Sequence, residues 1–159
     1  MGVITFTEEF TSPVPAGRLF KAFVLDFDNL LPKLMPQAFK SIETIKGDGG
    51  PGTIKKLNFT ERDGAKYLKH RIDALDKEKM IYNYTLIEGD GMDKVESVSY
   101  EIKYEASPDG GCKGTSVNKY YPKPGVKLDE EKIKEARALA MGIYKAVEAY
   151  LLTNPDVYA

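Results

Sequence analysis

Apolar and polar positions change period twice along this chain. At the N-terminus they alternate. Ile4, Phe6 and Phe10 stand against Thr5, Thr7 and Glu9, which predicts a strand over 3–10. Ser12-Pro13-Val14-Pro15 ends it. The period then lengthens. Leu19, Phe20, Phe23 and Val24 share one side of a short helix over 18–25, and 26–34 reads as a second short helix stopping near Pro32 to Pro36. Two short helices cannot cover a sheet, so they are expected to form a V-shaped support under one end of a longer helix. From residue 40 alternation returns. Strands are expected over 40–45 and 54–59, then around Leu68, His70 and Ile72, around Met80, Tyr82, Tyr84 and Leu86, and around Val98, Tyr100, Ile102 and Tyr104. Turns are expected over 61–64, 73–79, 89–93 and 107–111. A last strand over 112–121 has a weak pattern, with Gly114, Ser116, Asn118 and Tyr120 on one face.

The long period comes back at 129–154. Ile133, Ala136, Ala140, Ile143, Val147 and Tyr150/Leu151 recur at three- and four-residue spacing, with Leu139 and Tyr144 widening the stripe. Asp129 is placed to cap this helix, Glu130 and Glu131 suit its positive end, and Asn154-Pro155 stops it. About seven turns with one apolar face need a large apolar partner, which must be the sheet. The middle of the stripe is alanine. Either helix and sheet touch closely there, or the space is open and the protein encloses a cavity.

Composition narrows the classes. The chain has 159 residues, enough for one domain over 1–159 with a proper core. A net charge of −1 offers no global attraction for nucleic acid or anionic membrane, so neither is an expected partner. The single cysteine, Cys112, allows no disulfide within the chain and fits a reducing compartment. No basic, apolar leader opens the sequence, Phe6 stands where a myristoylation motif wants Ser or Thr, and no segment is long enough to span a bilayer. A cytosolic monomer is expected.

Candidate chemistry gathers on one face of the predicted sheet. Lys55 shares parity with Leu57 and Phe59. An ammonium on an apolar face needs a partner or water. It either reaches out from the strand end or stands in a cavity wall, meeting a ligand oxygen. The one histidine, His70, sits between Leu68 and Ile72 on the inner face. Without a second histidine it anchors no zinc site, and it reads as a polar point in an apolar wall. Tyr82, Tyr84 and Tyr100 line the same face, with Tyr104 and Tyr120 as further candidates. A dry core avoids hydroxyls that each need a partner, so this lining suggests a face that is wet or fills with ligand. The loop Gly47-Asp48-Gly49-Gly50-Pro51-Gly52 exposes backbone amides and can cradle an anion. It lacks the Gly-Lys-Ser/Thr of a phosphate-binding loop and leads into a strand, so a tight connection with positive φ is favoured.

Several stretches carry a family resemblance. Residues 46–56 (KGDGGPGTIKK), 18–26 (RLFKAFVLD), 82–89 (YNYTLIEG) and 146–152 (AVEAYLL) resemble, in order, the plant pathogenesis-related class 10 proteins of the major birch pollen allergen family. The resemblance spans essentially the whole chain. It implies an α+β helix-grip fold: a seven-stranded antiparallel sheet wrapped around the long C-terminal helix, two short helices between strands 1 and 2, and an internal hydrophobic cavity. It also implies a defence- or stress-related protein without cofactor or metal. Its partners would be small hydrophobic plant metabolites: flavonoids, cytokinins, brassinosteroid-like sterols, fatty acids or alkaloid-like compounds. Carried over by position, the wall comprises Phe23, Asp28, Leu31, Lys55, Leu57, Phe59, His70, Tyr82, Tyr84, Tyr100, Ile102, Leu139 and Ile143. Some relatives are alkaloid-assembling enzymes, and a ribonuclease activity attributed to others maps to Lys55, Glu96, Glu148 and Tyr150. The helix projection sets Glu148 on the polar face, away from a cavity, and Lys119 and Lys123 form no condensing constellation. No catalytic residue is therefore assigned. Gly114 and Ser116 depart from the family's more apolar run and are expected to enlarge or polarise the wall, while Tyr100 partly fills it.

Overall fold

The structure, a computed structural model, describes residues 2–62, 65–90 and 92–159. Among them, seven strands form one antiparallel sheet: β1 (Ile4–Ser12), β2 (Phe39–Lys46), β3 (Ile54–Arg62), β4 (Ala65–Asp76), β5 (Ile81–Gly89), β6 (Val95–Ala106) and β7 (Cys112–Pro122). Their order is β1-β7-β6-β5-β4-β3-β2. Strands β2 to β7 form a meander, and β1 closes against β7. Register carries the alternation across the sheet. Ile72, Tyr84, Tyr100, Asn118 and Phe6 stand directly opposite one another from β4 to β1. Side-chain period and pairing therefore put one row of mostly aromatic groups on the face beneath the long helix.

Between β1 and β2 the chain makes α1 (Ala16–Phe20), a π-helical turn (Lys21–Leu25) and α2 (Phe27–Leu34). Helix α1 begins earlier than expected because Pro15, at φ −55°, presets the backbone for entry. The π turn is closed by the Asp26 amide donating to the Lys21 carbonyl at 2.9 Å. Pro32 lies inside α2 rather than ending it, and the helix stops at Met35, the residue before Pro36. The expected turn at 73–79 is shorter. Strand β4 runs to Asp76, whose carboxylate accepts from the Glu78 and Lys79 amides, both at 3.0 Å, and organises the reversal. The turns expected at 61–64 and 89–93 include residues 63, 64 and 91, outside the described residues.

The long helix α3 runs Glu130–Thr153. Asp129 caps it by accepting from the Glu131 amide at 3.0 Å. Its two ends are packed differently from its middle. Val147 and Leu151 are wholly buried in a cluster with Leu19, Phe20 and Ile72, while Ile133 joins Val98, Tyr120 and Leu128 in a second cluster. The short helices support the C-terminal end. Arg18 donates from Nη2 to the carbonyls of Leu151, Asn154 and Val157 at 2.8–3.0 Å, satisfying acceptors that a helix terminus leaves open. Ala136 and Ala140 project to the same side as Val147 at about 100° per residue, yet both are exposed. Between the two clusters the inward face of α3 thus looks onto open space. Of the two readings of the alanine stripe, close helix–sheet contact is the one the structure excludes.

Candidate functional site

The site follows from where α2 and β3–β6 set their inward side chains. Lys55 does not reach out to bulk water. It is buried on β3 opposite His70, and its Nζ donates to Asp28 Oδ1 at 2.8 Å. Asp28 stands in the first turn of α2, where the helix dipole favours a carboxylate. Phe27, beside it, lies under the Lys55 ammonium at 5.4 Å and stacks on the His70 ring at 5.7 Å. His70 is buried, and the Tyr82 hydroxyl lies 3.4 Å from its Nε2. Burial first, and the Lys55 charge second, push the imidazole pKa down to about 4, so the ring is neutral at neutral pH. This corner holds one compensated ion pair and a neutral imidazole against aromatic walls.

The tyrosines extend from it across the sheet. Tyr84 lies 5.3 Å from Tyr82 and stacks on Tyr100 at 4.7 Å. Burial drives the hydroxyls of Tyr84 and Tyr100 to titrate well above the ordinary tyrosine range. Yet both residues retain accessible surface. Leu57, Phe59 and Ile102 from the sheet and Ile143 from α3 are likewise half-buried around the main cluster. Phe23 stacks on Tyr144 at 5.7 Å.

Leu31, like Tyr82, is buried in the main core cluster. One expected wall residue sits elsewhere. Leu139 is 72% exposed and projects about 100° from the inward direction, so it belongs to the helix flank. Gly114 does not enlarge the wall. The ring of Phe10, its register partner on β1, lies over it, and a Cβ at 114 would come within 1.8 Å of Phe10 Cζ. The glycine-rich loop is a turn that uses its own donors. Gly49 N–H donates to Thr53 Oγ1 at 2.9 Å, Gly50 N–H to Asp48 Oδ1 at 3.0 Å and Gly52 N–H to the Ile72 carbonyl at 2.7 Å. Positive φ at Gly47, Gly49 and Gly52 meets the conformational demand. The residues mapped for ribonuclease chemistry are not gathered. Lys55 is interior and paired with Asp28, Glu96 is exposed, Glu148 accepts from Tyr144, and Tyr150 lies beneath Lys33.

One group on the inward face had no place in the sequence reading. Glu8 shares parity with Phe6 and Phe10, and it pairs with Arg137 from the middle of α3. The strand pattern already contained the signal, because an inward carboxylate demands a cation. A separate open cleft of about 370 Å³ lies at the β2–β3 edge, lined by Lys40, Ser41, Glu43, Asn58, Phe59 and Lys66. It holds neither ion pair. Among the described residues no three side chains of metal-ligating type converge.

Comparison with known proteins agrees with the fold. The model of the pathogenesis-related protein Bet v 1 family matches residues 1–154. The chain is 54% identical to the major strawberry allergen Fra a 1.07 of Fragaria ananassa and 51% identical to the major allergen Pru ar 1 of Prunus armeniaca. Each match covers 99% of both chains. The crystal structure of Ara h 8.0201 superposes with a TM-score of 0.88 at 44% identity, over 96% of this chain and 99% of that one. A norcoclaurine synthase from Thalictrum flavum, a point mutant in complex with a transition-state analogue, shares the fold at a TM-score of 0.77 and 25% identity, over 98% of each chain.

Proposed function

This chain belongs to the Bet v 1 family of pathogenesis-related proteins, and from that premise we propose that it binds small amphipathic plant metabolites in the space between α3 and the sheet, as a carrier or buffer within the cytosol. The observation that carries this reading is the open inward face of α3. Ala136 and Ala140, on the side of α3 turned toward the sheet, are exposed, and Tyr84 and Tyr100 on that face of the sheet are half-buried although strongly desolvated. Apolar area lost from water drives uptake, at about 25 cal/mol per Å². The Lys55–Asp28 pair, His70 and the tyrosine hydroxyls supply orientation. Pockets of this make-up, apolar with few placed polar groups, suit flavonoid-, cytokinin- or sterol-like ligands.

Catalysis is the weaker reading. The fold is shared with a norcoclaurine synthase, but Lys119 and Lys123 lie away from the Lys55 corner, on the last strand and beyond its end. The titration of purified protein with an apolar fluorescent probe, followed by displacement with flavonoids, cytokinins, sterols and alkaloids, tests the proposal. Saturable uptake displaced at micromolar ligand is the expected result. An absence of uptake would sink the carrier reading and leave an enzyme or a protein-contact role to pursue.

A further inference from the structure

We propose that the Glu8–Arg137 pair forms a second polar recognition site, at the β1–β7 side of the interior, that takes a vicinal pair of hydroxyls on a neutral ligand. The proposal rests on the binding reading above and adds the place and chemistry of a second anchor.

Glu8 is on the inward face of β1, in register with Ser116 on β7. Arg137 enters from the middle turns of α3, where the helix faces open space, and one of its terminal nitrogens donates to the Glu8 carboxylate. The guanidinium lies over the Phe6 ring at 4.5 Å, and Phe6 packs edge-on to Tyr120 at 5.8 Å. Ser116 donates to Asn118 Oδ1 at 2.8 Å alongside. Charged donor, charged acceptor and aromatic walls therefore meet in the helix–sheet gap. The pair is not sealed off, since the Arg137 and Glu8 side chains are 30% and 36% exposed. Nor is the guanidinium saturated, because its Nε–H is buried without an acceptor. Five strand spacings, roughly 24 Å along the sheet, separate β1 from β3, so this site is distinct from the Lys55 corner.

Charge compensation selects the ligand class. A carboxylate would gain Arg137 but face Glu8, and an amine would gain Glu8 but face Arg137. A neutral vicinal diol uses both, with one hydroxyl donating to Glu8 and the neighbouring oxygen accepting from Arg137. Such a diol can sit on an aromatic ring or on a sugar.

The test uses the full chain with four probes: trans-stilbene, 3,4-dihydroxystilbene, a stilbene glucoside and stilbene-4-carboxylate, titrated by fluorescence at neutral pH. At least one diol probe should bind about tenfold tighter than stilbene, the size of one charge-assisted hydrogen bond. The two diol arms show which source is preferred. Glu8→Gln should abolish that advantage and bind the carboxylate about tenfold tighter than the wild type does. That gain cannot come from a variant that fails to fold. Arg137→Met should lose the diol advantage without gaining the carboxylate. Equal binding of stilbene and both diols by the wild type, or a diol advantage that survives Glu8→Gln, would overturn the site while leaving the internal pocket standing. If no stilbene binds, the pocket reading falls and this site falls with it.

Discussion

The last turns of α3 and its middle turns carry the same helical periodicity and do opposite work. Around Val147 and Leu151 the stripe is wholly buried, wedged on α1 and the sheet, with Arg18 holding the terminal carbonyls. Around Ala136 and Ala140 the same side of the helix is exposed. A periodic stripe thus states which side faces the sheet, not whether the sheet is there to meet it. Residue size decides that: large side chains close the gap at the ends, and alanine leaves it open in the middle. The sharpest way to break the comparison is to exchange the two kinds of position. Leu151→Ala should cost about 2–5 kcal/mol in chemical denaturation, the range for emptying a packed site. Ala140→Leu should move stability by only about 0.5 kcal/mol, yet weaken uptake of an apolar probe by occupying its space. Equal losses of stability would mean that the middle turns are packed after all.

The polar groups that border the open region test whether it is wet throughout. His70 is desolvated, with its pKa held at about 4 against about 6.5 in an unfolded chain. Below pH 6.5 the unfolded chain takes up a proton that the folded chain refuses. Stability contributed by the neutral ring is therefore full above pH 6.5 and declines until about pH 4. The loss across that window should approach about 3 kcal/mol, visible as the difference in pH dependence between wild type and His70→Gln. Coincident profiles would place His70 in contact with water. The Lys55–Asp28 pair is intermediate. Asp28→Asn strands a lysine side chain that is 10% exposed. The expected cost is about 2 kcal/mol, below the figure for a fully buried pair because Asp28 is 28% exposed. Lys55→Met should cost less, since Asp28 can turn to solvent; the reverse order in paired melts would contradict the burial of Lys55.

Strands, the long helix and the inward parity of Lys55, His70, Tyr82, Tyr84 and Tyr100 were legible because each follows from a two- or four-residue period within one element. What spans two elements was not. Asp28 was placed only through family resemblance, since nothing local to 26–34 reveals that its partner stands on β3. Glu8 went unread because its meaning depends on Arg137, far along the chain, although its parity with Phe6 and Phe10 marked it as inward. Leu139 widens the apolar stripe in projection, yet it is 72% exposed, because periodicity does not tell the flank of a stripe from the part that meets the sheet. The π turn had no pattern of its own, being set by how α1 meets α2.

Gly114 shows the same limit at the smallest scale and carries the last prediction. A glycine on an inward face suggests added room, and only its cross-strand partner says otherwise. The Phe10 ring lies across the position and is itself packed between Tyr104 at 5.8 Å and Tyr144 at 5.0 Å. Gly114→Ala would drive a methyl into that ring and push it off both neighbours. Phe10 is itself only half-buried, so its ring can shift, and the cost should be about 1–2 kcal/mol, at the low end for overpacking. Because the ring would then intrude on the interior, uptake of an apolar probe should fall as well. A stable variant with unchanged uptake would show that Phe10 does not guard this wall, and that the glycine does leave room for ligand.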